Sequence, residues 1–494
     1  MSGSRRGVRT RSNVAALTRA IILNLDILQI ILSFVPRVDL LSVSCTSRFL
    51  REWAIKELLS RPVRIRLPKE LESWCRFFLA DENRPAHVRD LSIYLEDLES
   101  VSQRRAKLLL KFLQRATRLR RLFLGLAEIA LNADPEIPSA ISRLPALESF
   151  AVDPFCRDAQ ATTNEIIANM TSRLKVLSLY AAIHGGELWG YDIPRMLAPH
   201  REHLEELCLD FPDVRVLELH FPNLHTLKIP VNDQQPRPSS MFKSFPNLRH
   251  LSLFQDLLSY DHFAAVPEDL YSALRQSRMS EESGRRVWSS LDTLRGLLIL
   301  LYVVGLTCPV RRLEIEGYSG NAHDAAVDVV KSTCPQKLLL DIRCNNPVRA
   351  IVREPSLLGS GSPDRQHVTH LTLRIRFTAN PVPVNWEPLS DLAPLLRNSQ
   401  VEYLRLVVGG SLVREDHLEN ELLIEGWVRQ YLRALDLDAL RDALVGATTT
   451  LRVLVFTMSI RGQTVWTVDR GGGTAKTTEV DPVDARELIL REEA

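Results

Sequence analysis

A six-residue unit of the form Φ-x-x-Φ-x-Φ, where Φ is aliphatic or aromatic, recurs between residues 88 and 456 and constrains this chain more than any other feature. It reads VRDLSI (88–93), LRRLFL (119–124), LESFAV (147–152), LKVLSL (174–179), LEELCL (204–209), VRVLEL (214–219) and LHTLKI (224–229). It returns as LRHLSL (248–253), VRRLEI (310–315), a weaker KLLLDI (337–342), VTHLTL (368–373), VEYLRL (401–406) and LRVLVF (451–456). Alternation toward the end of each copy is the period-two mark of a strand with one buried face. Measured at the fourth position, the steps are 31 residues from Leu91 to Leu122, 28 to Phe150, 27 to Leu177 and 30 to Leu207. Later steps are 24 from Leu227 to Leu251, 27 from Leu313 to Leu340, 31 to Leu371 and 33 to Leu404. A strand with a return helix needs about this length, and such a unit buries its apolar strand face only when the next unit stacks beside it.

The intervening stretches fit return helices. Arg104–Arg115 and Ala325–Cys334 carry apolar residues at helical spacing, and Leu389–Arg397 does so despite Pro394. The expected fold is therefore α/β: a parallel-stranded arc with helices outside, resembling an irregular leucine-rich-repeat solenoid. Leu207, Leu217 and Leu227 lie too close together for helical returns, which leaves tight loops or an antiparallel excursion open. The long gap between Leu251 and Leu313 implies an insertion, and 296–306 reads as a buried helix. GSGSPDR (359–365) and DRGGGTAKTTE (469–479) read as mobile loops.

Ahead of the repeats stands a dense helical block, LNLDILQIILSFVPRVDLLSVSCTSRFLREWA (23–54). Asn24 can cap a helix bearing Ile27, Leu28, Ile31, Leu32 and Val35, which Pro36 stops. Asp39 then caps a turn with Leu40, Leu41 and Val43, and Thr46 or Ser47 opens a third helix running to about Leu59. Leu23, Asp26, Ile27, Leu28, Ile31, Leu32, Phe34, Pro36, Asp39, Leu40, Leu41, Ser47 and Arg48 fall in the register of the F-box family, which this block resembles. Asn24, Val35 and Leu50 depart from its usual Pro, Leu and Trp. The resemblance implies that the block docks on a Skp-type adaptor and through it a cullin, as the substrate-recognition subunit of an SCF-type ubiquitin ligase. Leu23, Ile27, Leu28, Ile31, Leu32, Val35, Pro36, Leu40, Leu41 and Val43 would make that contact. A repeat scaffold outside any ligase, with the helices serving only as its cap, is the alternative.

Chemistry of other kinds finds little footing. With 62 basic against 60 acidic residues, the net charge of +2 gives no general attraction to nucleic acid or to a membrane surface. No apolar run approaches the roughly 20 residues a membrane span needs. The cysteines, Cys45, Cys75, Cys156, Cys208, Cys308, Cys334 and Cys344, are scattered, odd in number and without a C-x-x-C pair, which argues for small buried residues in a reducing compartment. GGGTAKTT (471–478) lacks the glycine that a phosphate loop places before its lysine, and His200/His203 and His367/His370 lack a third ligand. The expectation is a non-enzyme with no cofactor and no metal, cytoplasmic or nuclear.

The organisation expected is a flexible basic tail (1–19), the F-box (20–60), a connector (61–87), the repeat array (88–457) and a C-terminal tail (458–494). Residues between the buried leucines face outward. Tyr94, Phe123, Glu206, Glu218, Lys228 and Arg405 are the candidates for holding a target protein.

Overall fold

The computed structural model describes residues 25–95, 101–153, 157–180, 192–210, 214–231, 237–255, 268–282, 287–318, 322–344, 357–358, 368–377, 392–397, 399–410, 426–458, 461–471 and 475–493. The chain divides into two compact units, Met1–Leu174 and Lys175–Ala494.

In the first unit, helices α1 (Leu25–Phe34), α2 (Arg37–Ser44) and α3 (Arg48–Ser60) precede strand β1 (Val63–Ile65) and helix α4 (Pro68–Leu79). Strand β2 (Asp90–Tyr94), helix α5 (Gln103–Arg115), β3 (Arg121–Gly125) and β4 (Ser149–Asp153) follow. The four strands are parallel, with Val63, Leu91, Leu122 and Phe150 in one buried row. The expected connector thus contributes a strand and a helix of its own. Proline at the first position of α4 needs no N–H partner, and the Glu70 carboxylate takes the free backbone N–H groups of Arg66 and Leu67 at 2.9 and 3.3 Å.

The second unit carries β5 (Val176–Leu179), β6 (Glu206–Leu209), β7 (Thr226–Val231), β8 (His250–Gln255), β9 (Leu291–Leu297) and β10 (Val310–Tyr318). Then come β11 (Lys337–Cys344), β12 (His370–Phe377), β13 (Tyr403–Gly410), β14 (Val453–Met458), β15 (Gly462–Asp469) and β16 (Lys476–Glu479). Neighbours from β5 to β14 pair in parallel, whereas β14–β15 and β15–β16 are antiparallel. The register lines up Leu177, Leu207, Leu227, Leu251, Leu294, Leu313, Leu338, Leu371, Leu404 and Leu454, and every one is buried. This row is the spine of the unit's core.

Several expectations are corrected. VRVLEL is not a strand: Val214–Glu218 is a 3-10 turn. A parallel neighbour needs a crossover, and this stretch supplies it between β6 and β7. It packs beside helices Ile193–Leu197 and Pro238–Ser244, with Val216 buried and the Leu217 carbonyl accepting from Ser244 Oγ at 2.6 Å. In β11 the row residue is Leu338; Leu340 pairs with Ile315 and Leu373 instead. A slip of two leaves the buried face unchanged, so the pattern alone cannot see it. The gap after Leu251 contains β9, which the unit pairs between β8 and β10. Its buried run continues into helix Leu298–Val304, so the apolar stretch beginning at Gly296 is strand first and helix second. The expected tail carries β15, β16 and helix Pro482–Glu493, with β16 inside the stretch read as a loop. Asp39 lies in the first turn of α2, where its charge suits the helix dipole, and Pro36 precedes the helix. The loop reading of 359–365 falls outside the described residues.

Gly296 stands where the neighbouring strands place Leu253 and Ile315. A Cβ there would come within 2.5 Å of the Leu253 carbonyl oxygen, so the glycine permits the close approach of β8 and β9. Gly296→Ala should therefore lower stability by about 1–3 kcal/mol, as overpacking does, measured by chemical denaturation of the full chain.

Candidate functional site

Helix α1, LDILQIILSF, is polar only at Asp26, Gln29 and Ser33, so it has more apolar surface than one packed face can cover. Its inner side is used locally. Leu32, Leu40, Ala54 and Leu58 form a buried cluster, and Leu28, Val35, Val43, Trp53, Trp74 and Phe77 pack around it. Ser47 caps α3, its Oγ accepting from the Leu50 N–H at 3.1 Å. The Arg61 guanidinium donates to the carbonyls of Leu32 and Ser33 at 3.2 and 3.0 Å, which satisfies the end of α1. Arg37 donates to the Pro62 carbonyl at 3.2 Å and lies over the Trp74 ring, which ties α2 to α4.

The outer side is left uncovered. Ile27, Ile30, Ile31 and Phe34 follow one another at helical spacing along α1, and all are exposed, Phe34 by 82%. On α2, Val38 is 74% exposed and Leu41 is open too; Phe49 is exposed on α3. Scattered exposed hydrophobics need no explanation, but rows of large ones on short helices mark a contact surface.

The expected adaptor residues divide accordingly. Ile27, Ile31, Pro36 and Leu41 are exposed, while Leu28, Val35 and Val43 are half-buried. Leu32 and Leu40, at 3% and 1% exposure, are sealed in the helical cluster and present no surface to a partner. Leu23 falls outside the described residues. Ile30, Phe34, Val38 and Phe49 are absent from the expected set although they are exposed; for Ile30 and Phe34 the available signal is the apolar content of α1 on both faces.

The target candidates also separate. In the first unit the Tyr94 and Phe123 rings are parallel, 6.4 Å apart, and Tyr94 leans across the space that Gly125 leaves free. In the second unit Lys228 Nζ pairs with Glu206 at 3.1 Å. Glu218 sits on the 3-10 turn and not on the sheet. Arg405 is held by Glu493 of the last helix, so it is no open contact point.

Reactive chemistry is muted. Burial pushes the Cys75 thiol up to about 12 and the Cys208 and Cys308 thiols up to about 11, which keeps them protonated. Cys45 by contrast is exposed, so the cysteines are not uniformly core residues. Among the described residues no three His, Cys, Asp or Glu side chains are grouped to hold a metal. No helix of the described residues is long and apolar enough to cross a membrane.

Residues 21–59 match the F-box domain. The match spans the three helices whose outer apolar rows are open. F-box domains generally bind Skp-type adaptors, which points to a role in adaptor binding for an SCF ubiquitin ligase, and F-box proteins are typically receptors and not enzymes. No curated protein is detectably similar in sequence to the chain.

The inner and outer rows should respond differently to substitution. Leu40→Ala should cost about 2–5 kcal/mol by opening a cavity. Val38→Ser on the neighbouring turn should change stability by no more than about 0.5 kcal/mol. Denaturant titration followed by Trp53 and Trp74 fluorescence distinguishes the two.

Proposed function

We propose that this chain is a substrate-recognition subunit of an SCF-type ubiquitin ligase: α1–α3 dock on a Skp-type adaptor, and the leucine-rich sheet holds a target protein. What carries the adaptor half is the exposed row Ile27, Ile30, Ile31 and Phe34, set opposite the row that α1 buries in its own cluster. Such a row offers a partner helix or groove several apolar anchors at once, and closing it would remove its surface from water. The contact set is Ile27, Ile30, Ile31, Phe34, Val38, Leu41 and Phe49, with Leu28, Val35, Pro36 and Val43 at its margin. The ligase chemistry then belongs to other subunits, and this chain supplies position.

The target half rests on the sheet's open side. Its polar row in the second unit runs through Glu206, Thr226, His250 and Thr293, and a groove of about 460 Å³ opens over β7–β10 between Lys228, His250, Arg295 and Glu316. Both charge signs are present, as protein-binding surfaces commonly have.

Affinity capture with a purified Skp-type adaptor tests the proposal. Wild-type chain should be retained. Ile31→Glu with Phe34→Glu should abolish retention while the thermal midpoint stays within about 2 °C, because both positions are exposed. Retention of that variant at wild-type strength would remove the reading.

A further inference from the structure

The register of the second unit sets Arg312, Lys337 and His370 side by side on β10, β11 and β12, with Tyr403 next on β13. Adjacent strands are only about 4.8 Å apart, and like charges directly opposite one another are unfavourable. Something negative must face them. In this chain Glu314 pairs with Arg312 at 2.7 Å, and the end of helix Pro482–Glu493 faces all three bases. Lys337 Nζ donates to the Glu492 carbonyl at 2.8 Å, and Arg312 to the Glu493 carbonyl at 3.1 Å. His370 Nε2 meets Glu492 Oε2 at 3.1 Å, the Tyr403 hydroxyl donates to Glu493 Oε1 at 3.2 Å, and Arg405 pairs with the same oxygen. The arrangement uses both the free carbonyls of a helix end, which carry partial negative charge, and two successive carboxylates.

The bases bear the mark of crowding. Burial, then Arg311 and Arg312, draw Lys337 below its ordinary value despite Glu492 and Glu493. Burial alone would raise Glu492, yet hydrogen bonds from His370 and Arg491 outweigh it and hold the carboxyl below the usual range.

The helix that supplies these acids is held by the polar contacts at its end and by one apolar side, with Leu488 half-buried against the same cluster. Ala485 and Ile489 are its buried residues, packed on Tyr403, Val455 and Val465, while Val483 and Leu490 face outward and are exposed. The space left beneath its end is only about 20 Å³. Along the same two rows of the sheet, Thr293 neighbours Arg312 and Arg295 neighbours Glu314, so the open groove over β7–β10 lies on the strand next to this cluster.

We propose that Arg312, Lys337, His370, Tyr403 and Arg405 form a docking site for a target segment that ends a helix in successive acidic residues, and that helix Pro482–Glu493 is its internal competitor. The inference rests on the target-binding half of the reading above. Its test contains no adaptor, so failure here and failure of adaptor capture are separate results.

Two fluorescent peptides serve as probes in anisotropy titrations: one with the sequence of residues 480–494, and an unrelated amphipathic helix ending in Glu-Glu. The full chain carrying Glu492→Lys and Glu493→Lys, whose own helix end the cluster repels, should bind both at least tenfold more tightly than the wild-type chain. Replacing the terminal glutamates of each probe by glutamine, or adding Lys337→Glu to the chain, should remove that gain. Should the charge-reversed chain fail to fold, Glu492→Gln with Glu493→Gln gives the same order of affinities with a smaller difference. Equal binding to wild-type and altered chains, no binding to either, or binding of the 480–494 probe alone would overturn the proposal and leave the helix a fixed cap.

Discussion

Each parallel strand of the second unit has a leucine that its own segment cannot cover, and the neighbouring strands and returning helices cover it. The row from Leu177 to Leu454 results from that requirement repeated along the unit. Burial of apolar surface is thus settled locally, strand after strand; the side of the sheet away from the leucines is polar and open over β7–β9, and helix Pro482–Glu493 covers it over β13–β15. At β14 the parallel series gives way to the antiparallel β15 and β16, and Trp466 on β15 meets Phe456 edge-on. The helix after β16 ends over β10–β12, its carbonyls accepting from Arg312 and Lys337 and its Glu492 carboxylate meeting His370.

Helix α1 departs from that economy. Its inner row is buried by α2, α3 and the Trp74 and Phe77 rings of α4, and the outer row is covered by nothing among the described residues. A block this small cannot bury apolar residues on both sides of a ten-residue helix. Residues 21–59 match the F-box domain, and such domains generally bind an adaptor, which supports the proposed use of the uncovered row. The stability of the block and its proposed adaptor contact therefore use opposite sides of the same helix.

How far the sequence foretold this depended on what each element needed. Strands with an intact aliphatic pattern, such as LEELCL and VEYLRL, were legible because alternation reports a buried face directly. Strand β9 escaped because Gly296 replaces the third aliphatic residue, a choice made by the Leu253 carbonyl and invisible in one dimension. VRVLEL matched the pattern yet became a turn, because the crossover between β6 and β7 had to be made somewhere. In the F-box block the three helices and the stop at Pro36 could be read, and the third cap was narrowed to Thr46 or Ser47, of which the structure uses Ser47. Which apolar residues look inward could not: Leu40 and Leu41 are neighbours in sequence, one sealed and the other open. That division is fixed by how α1, α2 and α3 pack, which periodicity in an eight-residue helix does not determine.

The central claim is that the outer row of α1, with its neighbours on α2 and α3, is surface kept open for another polypeptide. Amide hydrogen exchange of the full chain, with and without a saturating Skp-type adaptor, tests it most directly. The account predicts slowed exchange confined to residues 25–60 on adding the adaptor, with the strands of the second unit unaltered. Unchanged exchange across those helices, or protection appearing only in the second unit, would contradict it.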